Sequence, residues 1–386
     1  MIRTQSPMAP RTSTPFDFGF SPLKVELNHF KYKSLSNWVV NIAVGCSHAC
    51  TFCYVPSVST IKQGASLKKF GVTDPDAEWG DYVILRPFDE KVFRQSVAKA
   101  QKTQRSTLES DGNRAVFYCS TTDPYQVFPA AAGEKQKLLM AASRNMVRRS
   151  LEIIRDESDL NVRILTRSPL AEQDFDIFKS FGKRLLFGMS VPTMNDKLRL
   201  PFEPRAPAVQ KRLETLKAAK KQGLHVYVAV APTYPDCDEE DLRATLTAIR
   251  KLNPVTVFHE PINLRSENIK RIETYAREKG LAVLTEPLKS RPSWRIYAVN
   301  QLFMVERIAR ELGMERQLKL WPDGALGEEA GYVRAREYQY QEKRKGSTPS
   351  EGRHAQEVRE AQFKSEFVGL KKWIDRWWNC ISAWPK

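Results

Sequence analysis

The chain has 386 residues and a formal net charge of +16, from 61 Lys and Arg against 45 Asp and Glu. That length can bury a sizeable core, as one α/β barrel with extensions or as two domains. No apolar stretch approaches the eighteen or so residues needed to span a bilayer. The basic balance favours an anionic partner such as nucleic acid or an anionic membrane, without fixing the fold.

Residues 1–20 are rich in Ser, Thr and Pro, carry Arg3 and Arg11, and hold no acid before Asp17. They lack the apolar core of a signal peptide, and their prolines spoil a transit-peptide helix. Residues 1–36 are therefore expected to form a disordered arm on a cytoplasmic protein. Beyond them, apolar segments alternate with longer helical patterns, the sign of successive βα units and a mostly parallel sheet. Residues 38–44 read as the first strand, which runs through Gly45 into a cysteine-rich loop. The second strand is 82–85, followed by a helix over 89–102. The third to fifth are 115–119, 162–165 and 184–190. A helix over 208–221, capped by Gly223, leads to a sixth at 225–231, and 255–259 supplies one further strand. Each polar cluster falls just after a strand, where barrels of this kind gather their reactive groups.

The first of those clusters is the most informative: Cys46-Ser-His-Ala-Cys50-Thr-Phe-Cys53-Tyr54, a C-x3-C-x2-C spacing with Phe52 directly before the last cysteine. Three thiolates from one tight loop suit three corners of a cubic iron–sulfur cluster. Soft thiolates also suit zinc, and His48 would complete a Cys3His set. Structural zinc sites, however, usually pair two separated ligand knuckles, and Cys119, Cys237 and Cys380 are single and far apart. A disulfide framework fits a large chain without a secretory signal still less well.

The stretch Asn41-Ile-Ala-Val-Gly-Cys-Ser-His-Ala-Cys-Thr-Phe-Cys-Tyr54, followed by Asp123-Pro-Tyr-Gln126, resembles the radical S-adenosylmethionine (radical SAM) group related to spore photoproduct lyase. Thr166-Arg-Ser168, Ser190, Leu200-Pro-Phe-Glu-Pro-Arg-Ala-Pro207 and Ala229-Val-Ala-Pro232 agree with it, so the resemblance covers 38–260. It implies an open, partial (β/α)6 barrel. It also implies a [4Fe-4S] cluster on Cys46, Cys50 and Cys53, whose open iron binds S-adenosylmethionine. One electron, from a flavodoxin- or ferredoxin-like donor, then cleaves that molecule, and the 5′-deoxyadenosyl radical takes a hydrogen atom from substrate. On the same resemblance, Phe52 packs near the adenine, and Ser120, Thr122 and Asp123 contact the methionine ammonium or the ribose. Arg167 and Ser190 serve the carboxylate and ribose. Each has an ordinary reading as well: Phe52 as loop core, the hydroxyls and Asp123 as turn formers, and Arg167 as half of an ion pair.

The resemblance also implies that a thiol can serve as hydrogen-atom donor where the radical cycle is closed. Cys237, after the sixth strand, is the candidate for that role, while Cys119 reads as core. The barrel is expected over 37–290, a helical extension packed on it over 291–330, and a basic linker with an aromatic helix over 331–386. In that last helix Phe363, Phe367, Leu370, Ile374, Trp377 and Ile381 form an amphipathic stripe flanked by Lys371, Lys372 and Arg376. It either packs on protein or, through Trp373, Trp378 and Trp384, stacks on unpaired bases. The expected function is a lyase-like or modifying radical SAM enzyme acting on nucleic acid or a nucleotide. Two alternatives remain open: a radical SAM enzyme for a protein or small molecule, and a non-catalytic nucleic-acid-binding protein stabilised by zinc or a cluster.

Overall fold

The computed structural model describes residues 11–12, 20–28, 35–108, 112–128, 134–265 and 267–327. The expected basic linker and aromatic C-terminal helix lie outside them. The first short strands are β1 (Arg11–Thr12), β2 (Glu26–Leu27), β3 (Trp38–Val40) and β4 (Ala43–Gly45), with α1 (Gly64–Lys68) and β5 (Tyr82–Leu85) after them. Then come α2 (Glu90–Lys102), β6 (Ala115–Tyr118), α3 (Glu134–Glu157), β7 (Asn161–Thr166), α4 (Phe175–Ser180), β8 (Leu185–Ser190), α5 (Asp196–Arg199) and α6 (Val209–Lys221). The series closes with β9 (Val226–Thr233), α7 (Glu239–Arg250), β10 (Thr256–Pro261), α8 (Asn268–Lys279), α9 (Arg291–Glu311) and β11 (Leu318–Leu320).

The main sheet runs β11-β10-β9-β8-β7-β6-β3-β2. All its pairings are parallel except β2 on β3. Among the described residues its edge strands β11 and β2 do not pair with each other, and the mostly parallel sheet with flanking helices is the α/β architecture expected. β3 and β6 are buried throughout, as parallel strands covered on both faces should be. The helices follow from sequence. Asp89 caps α2 by accepting the Val92 N–H at 3.1 Å, and Phe93, Val97 and Ala100 recur on its buried face. α6 buries Val209, Leu213, Leu216 and Ala219. It stops at Gly223, whose φ of +83° closes the last turn through its N–H to the Lys220 carbonyl.

Four expectations change. Residues 38–44 are two strands, because the chain leaves the main sheet at Asn41 and re-pairs as β4, antiparallel to β5. The expected second strand, β5, therefore belongs to a separate three-stranded sheet with β1 and β4, and its place among six parallel strands goes to β10. The expected helical extension also carries β11, which adds to β10 in parallel. The arm expected to be disordered through residue 36 is built in over 20–28: Phe20, Leu23 and Val25 are buried. There Leu23 N–H donates to Pro87 O, and Val25 N–H to Ser96 Oγ, each at 2.9 Å. A second compact unit begins at Gly324, of which only 324–327 is described.

Gly45, where β4 hands over to the cysteine loop, has φ +90°, and a Cβ there would lie 2.1 Å from the Tyr82 carbonyl oxygen. Gly45→Ala should lose more than ~3 kcal/mol of stability through this backbone clash and the strained φ. A shift in the urea unfolding midpoint checks this.

Candidate active site

The cysteine loop leaves β4 and is pinned from several sides by its own backbone. Ser47 N–H donates to Gln126 Oε1 at 2.7 Å, and Thr51 N–H to the Phe202 carbonyl at 3.0 Å. Thr51 Oγ1 donates to Pro201 O at 2.9 Å. From α8, Asn268 Nδ2 donates to Phe52 O at 3.2 Å and Arg271 Nε to Thr51 O at 3.2 Å. The Arg271 fork also reaches Cys53 O and the Asp76 carboxylate, which Ser57 holds from its other oxygen. Ala49 turns the loop at φ +52°, seated on Gly80, where a Cβ would come within 2.4 Å of the Ala49 Cβ.

Cys46, Cys50 and Cys53 line one cavity of about 230 Å³. It opens among the residues that follow the C-terminal ends of the parallel strands. Ser120, Thr122 and Asp123 follow β6, Arg167 follows β7, Ser190 ends β8, Glu260 and Pro261 end β10, and Trp321 follows β11; all of them line it, as do Phe52 and Cys119. Every expected site residue is thus brought together except Cys237. That cysteine is buried at the N-terminal end of α7 beside Asp241, with its carbonyl accepting from Gln301 Nε2 at 3.0 Å, and it does not line the cavity. Cys119, expected as core, is buried and also forms cavity wall. Its thiol is held protonated by burial, with Asp123 adding to the effect.

Asp123 is a junction. Its Oδ1 accepts from Tyr125 N–H at 2.9 Å and Thr166 Oγ1 at 2.7 Å. Its Oδ2 accepts from Arg167 N–H at 2.9 Å and lies 3.1 Å from His48 Nε2. Burial opposes ionisation, but His48, Thr166 and the Arg167 N–H outweigh it and hold the carboxyl down to about 2. Both oxygens are thus engaged by the protein, which ties the cysteine loop to the ends of β6 and β7. Thr122 is similarly committed: it donates to Gly45 O at 2.6 Å and accepts from Gln126 Nε2 at 2.7 Å. Asn41 Oδ1 accepts from the N–H groups of Ser120 and Thr121 at 2.8 and 2.9 Å.

Arg167 does form an ion pair. Its Nε lies 2.8 Å from Glu203 Oε1, and its guanidinium sits 5.7 Å from the Phe52 ring centroid. Burial again opposes ionisation of Glu203, yet Arg212 and Arg167 hold it down to about 2. Burial pushes the Cys50 thiol up to about 12, only partly offset by Arg167, and raises Cys46 and Cys53 as well. Metal binding here must displace protons from the thiols, as it does wherever cysteine is a ligand. Among the described residues, no three His, Cys, Asp or Glu side chains are grouped to hold one metal ion. Three thiols lining one cavity are a donor set that a cluster, taking one thiolate to each of several irons, could use.

A sequence model of the radical SAM superfamily matches residues 40–249. The chain belongs to the radical SAM superfamily. Among curated proteins, this radical SAM chain is 30% identical over 256 residues to an uncharacterized protein of Acidianus two-tailed virus, spanning 64% of this chain and 74% of that one. An uncharacterized protein of Methanocaldococcus jannaschii is 23% identical over 254 residues, 63% of this chain and 80% of that one. Among solved structures, a variant of spore photoproduct lyase superposes with a TM-score of 0.54 at 11% identity. The same enzyme complexed with dinucleoside spore photoproduct gives 0.53 at 12%. Each of these two covers 76% of this chain and 78% of the other. The radical SAM fold is thereby shared with spore photoproduct lyase.

Residue types alone did not point to Arg212, Asn268 and Arg271, which lie in no motif. Asn41 and Glu203 stand within the matched segments, but nothing in their spacing reveals a partner.

Proposed function

We propose that this chain is a radical SAM enzyme holding a [4Fe-4S] cluster on Cys46, Cys50 and Cys53 and acting on a nucleic acid or nucleotide. The observation that carries the cofactor reading is the meeting of these three thiols and the Arg167 guanidinium on one cavity. When bound, the cluster and S-adenosylmethionine supply reductive carbon–sulfur cleavage and hydrogen-atom abstraction, with a flavodoxin- or ferredoxin-like protein providing the electron. The chain's own residues bind and orient: Arg167 offers a fork to the methionine carboxylate, Phe52 offers a flat face, and Ser190 offers a hydroxyl. The cavity also reaches Leu35, Phe117 and Trp321, which belong to a packed cluster separate from that of Cys46 and Cys53. Those side chains suit a flat, weakly polar group such as a base. The charge of +16 and the dinucleoside bound by spore photoproduct lyase support the same substrate class. A thiol that returns a hydrogen atom to the substrate radical would on this reading be Cys119, since it lines the cavity and Cys237 does not.

Anaerobically reconstituted protein should hold about four irons with matching sulfide and form 5′-deoxyadenosine after dithionite reduction. A colourless protein with a single zinc would sink the reading. Affinity for single-stranded oligonucleotides should fall steeply as salt rises, and salt-independent or absent binding would count against nucleic acid. Cys119→Ala should leave 5′-deoxyadenosine formation within about twofold while altering the substrate-derived products; unchanged products would remove Cys119 from the reaction.

A further inference from the structure

Three charged side chains from separated stretches meet in a buried row. Glu203 has no exposed surface; its Oε1 accepts from Arg167 Nε at 2.8 Å and its Oε2 from Arg212 Nη2. Arg212, equally buried, places its other donors on carbonyls: Nη1 on Ser190 O and Nε on Pro207 O, both at 2.9 Å. Arg167 differs. Its side chain keeps 18% exposure and the residue lines the cysteine cavity. Among the described residues its two Nη groups make no hydrogen bond. Two guanidinium groups against one carboxylate leave one positive charge over. The surplus sits on Arg167, the one member of the row that faces the cavity, and so fits a site that receives an anion there.

We propose that Glu203, anchored by Arg212, is a positioning residue that aims the paired Nη groups of Arg167 at a carboxylate entering the cavity. The proposal rests on reading S-adenosylmethionine as the cavity's ligand, since its methionine end carries such a group. A two-point guanidinium–carboxylate bond requires the two planes to coincide. Glu203 grips Nε and so fixes the plane of the guanidinium, leaving the far edge to the ligand. The same grip explains why Arg212 is worth burying: it secures the carboxylate that secures Arg167.

The test compares S-adenosylmethionine with its decarboxylated analogue by anaerobic equilibrium dialysis on cluster-loaded, oxidised protein, so that nothing turns over. Wild-type protein should prefer the carboxylate-bearing ligand by about 10- to 100-fold, the range of a charge-assisted pair. Glu203→Gln should lose most of that preference while binding the decarboxylated analogue within about twofold of wild type. Equal weakening of both ligands would make Glu203 a merely structural residue, and a retained preference would mean Arg167 needs no aiming; either overturns the proposal. Arg167→Lys keeps the charge and the Glu203–Arg212 pair, so it covers the case in which Glu203→Gln does not fold. It should lose the same preference, and retention would overturn the proposal as well. If wild-type protein binds neither ligand, the cofactor reading itself fails and this proposal falls with it.

Discussion

Cys50→Ala protein, reconstituted anaerobically, is expected to retain less than about a tenth of the wild-type iron and to form no detectable 5′-deoxyadenosine. The loop should nevertheless keep its shape. Its grips act on backbone atoms of Ser47, Thr51, Phe52 and Cys53, none of which involves the Cys50 thiol. Urea unfolding of the metal-free variant should therefore match that of metal-free wild type within ~0.5 kcal/mol. Lost iron with retained stability isolates the thiol as a ligand. Retained iron together with retained cleavage would show that Cys50 is not one, and the three-cysteine assignment would have to be abandoned.

The second large effect is on the fold. Asp123→Asn puts an amide where two oxygens now face the Tyr125 and Arg167 N–H groups, the Thr166 hydroxyl and His48. At least one donor then meets another donor in a buried place, for a cost of ~3–5 kcal/mol. The acid side of the stability profile tests the same junction. A carboxyl held near 2, against an ordinary value of ~3.9 for Asp, contributes stability that is fully present above the ordinary value. That contribution is lost as pH falls through the folded value. A displacement of ~2 pH units corresponds to ~2–3 kcal/mol. Glu203, also held down to about 2, loses its share over a similar window. Wild-type protein should thus weaken steeply between about pH 4 and 2, and Asp123→Asn should weaken less steeply because one of the two groups is gone. Equal slopes would mean that Asp123 gains nothing from its neighbours.

The cysteine triad, the βα alternation and the gathering of polar residues after strands could be read from the sequence because each is a local pattern. A strand of period two, a helix cap and a C-x3-C-x2-C loop all declare themselves within a dozen residues. What could not be read is long-range pairing. Residues 82–85 look like any buried parallel strand, and only the two-residue break at Asn41 and Ile42 moves their partner into another sheet. Leu318–Leu320 is too short to outweigh the helical pattern around it, yet an open sheet edge at β10 gives it a partner. Asp123 and Arg167 line the same cavity as the three cysteines, but their partners His48 and Glu203, and the Arg212 that holds Glu203, come from distant stretches that only folding brings together. Cys237 lies away from the cavity for the same reason: a position after a strand does not say whether the side chain turns toward the cavity or into the helix layer.

The grip of α8 on the cysteine loop bears on the order in which the protein is made. Arg271 and Asn268 hold carbonyls of residues 51–53, more than two hundred positions earlier in the chain. The Phe202 carbonyl closes the loop from the other side. A nascent chain that has exposed the three cysteines but not yet released α8 has the ligands without the brace that spaces them. On the proposed cofactor reading, assembly of an iron–sulfur centre on these cysteines waits for α8 to emerge, which leaves the thiols open to oxidation and to stray metals until then.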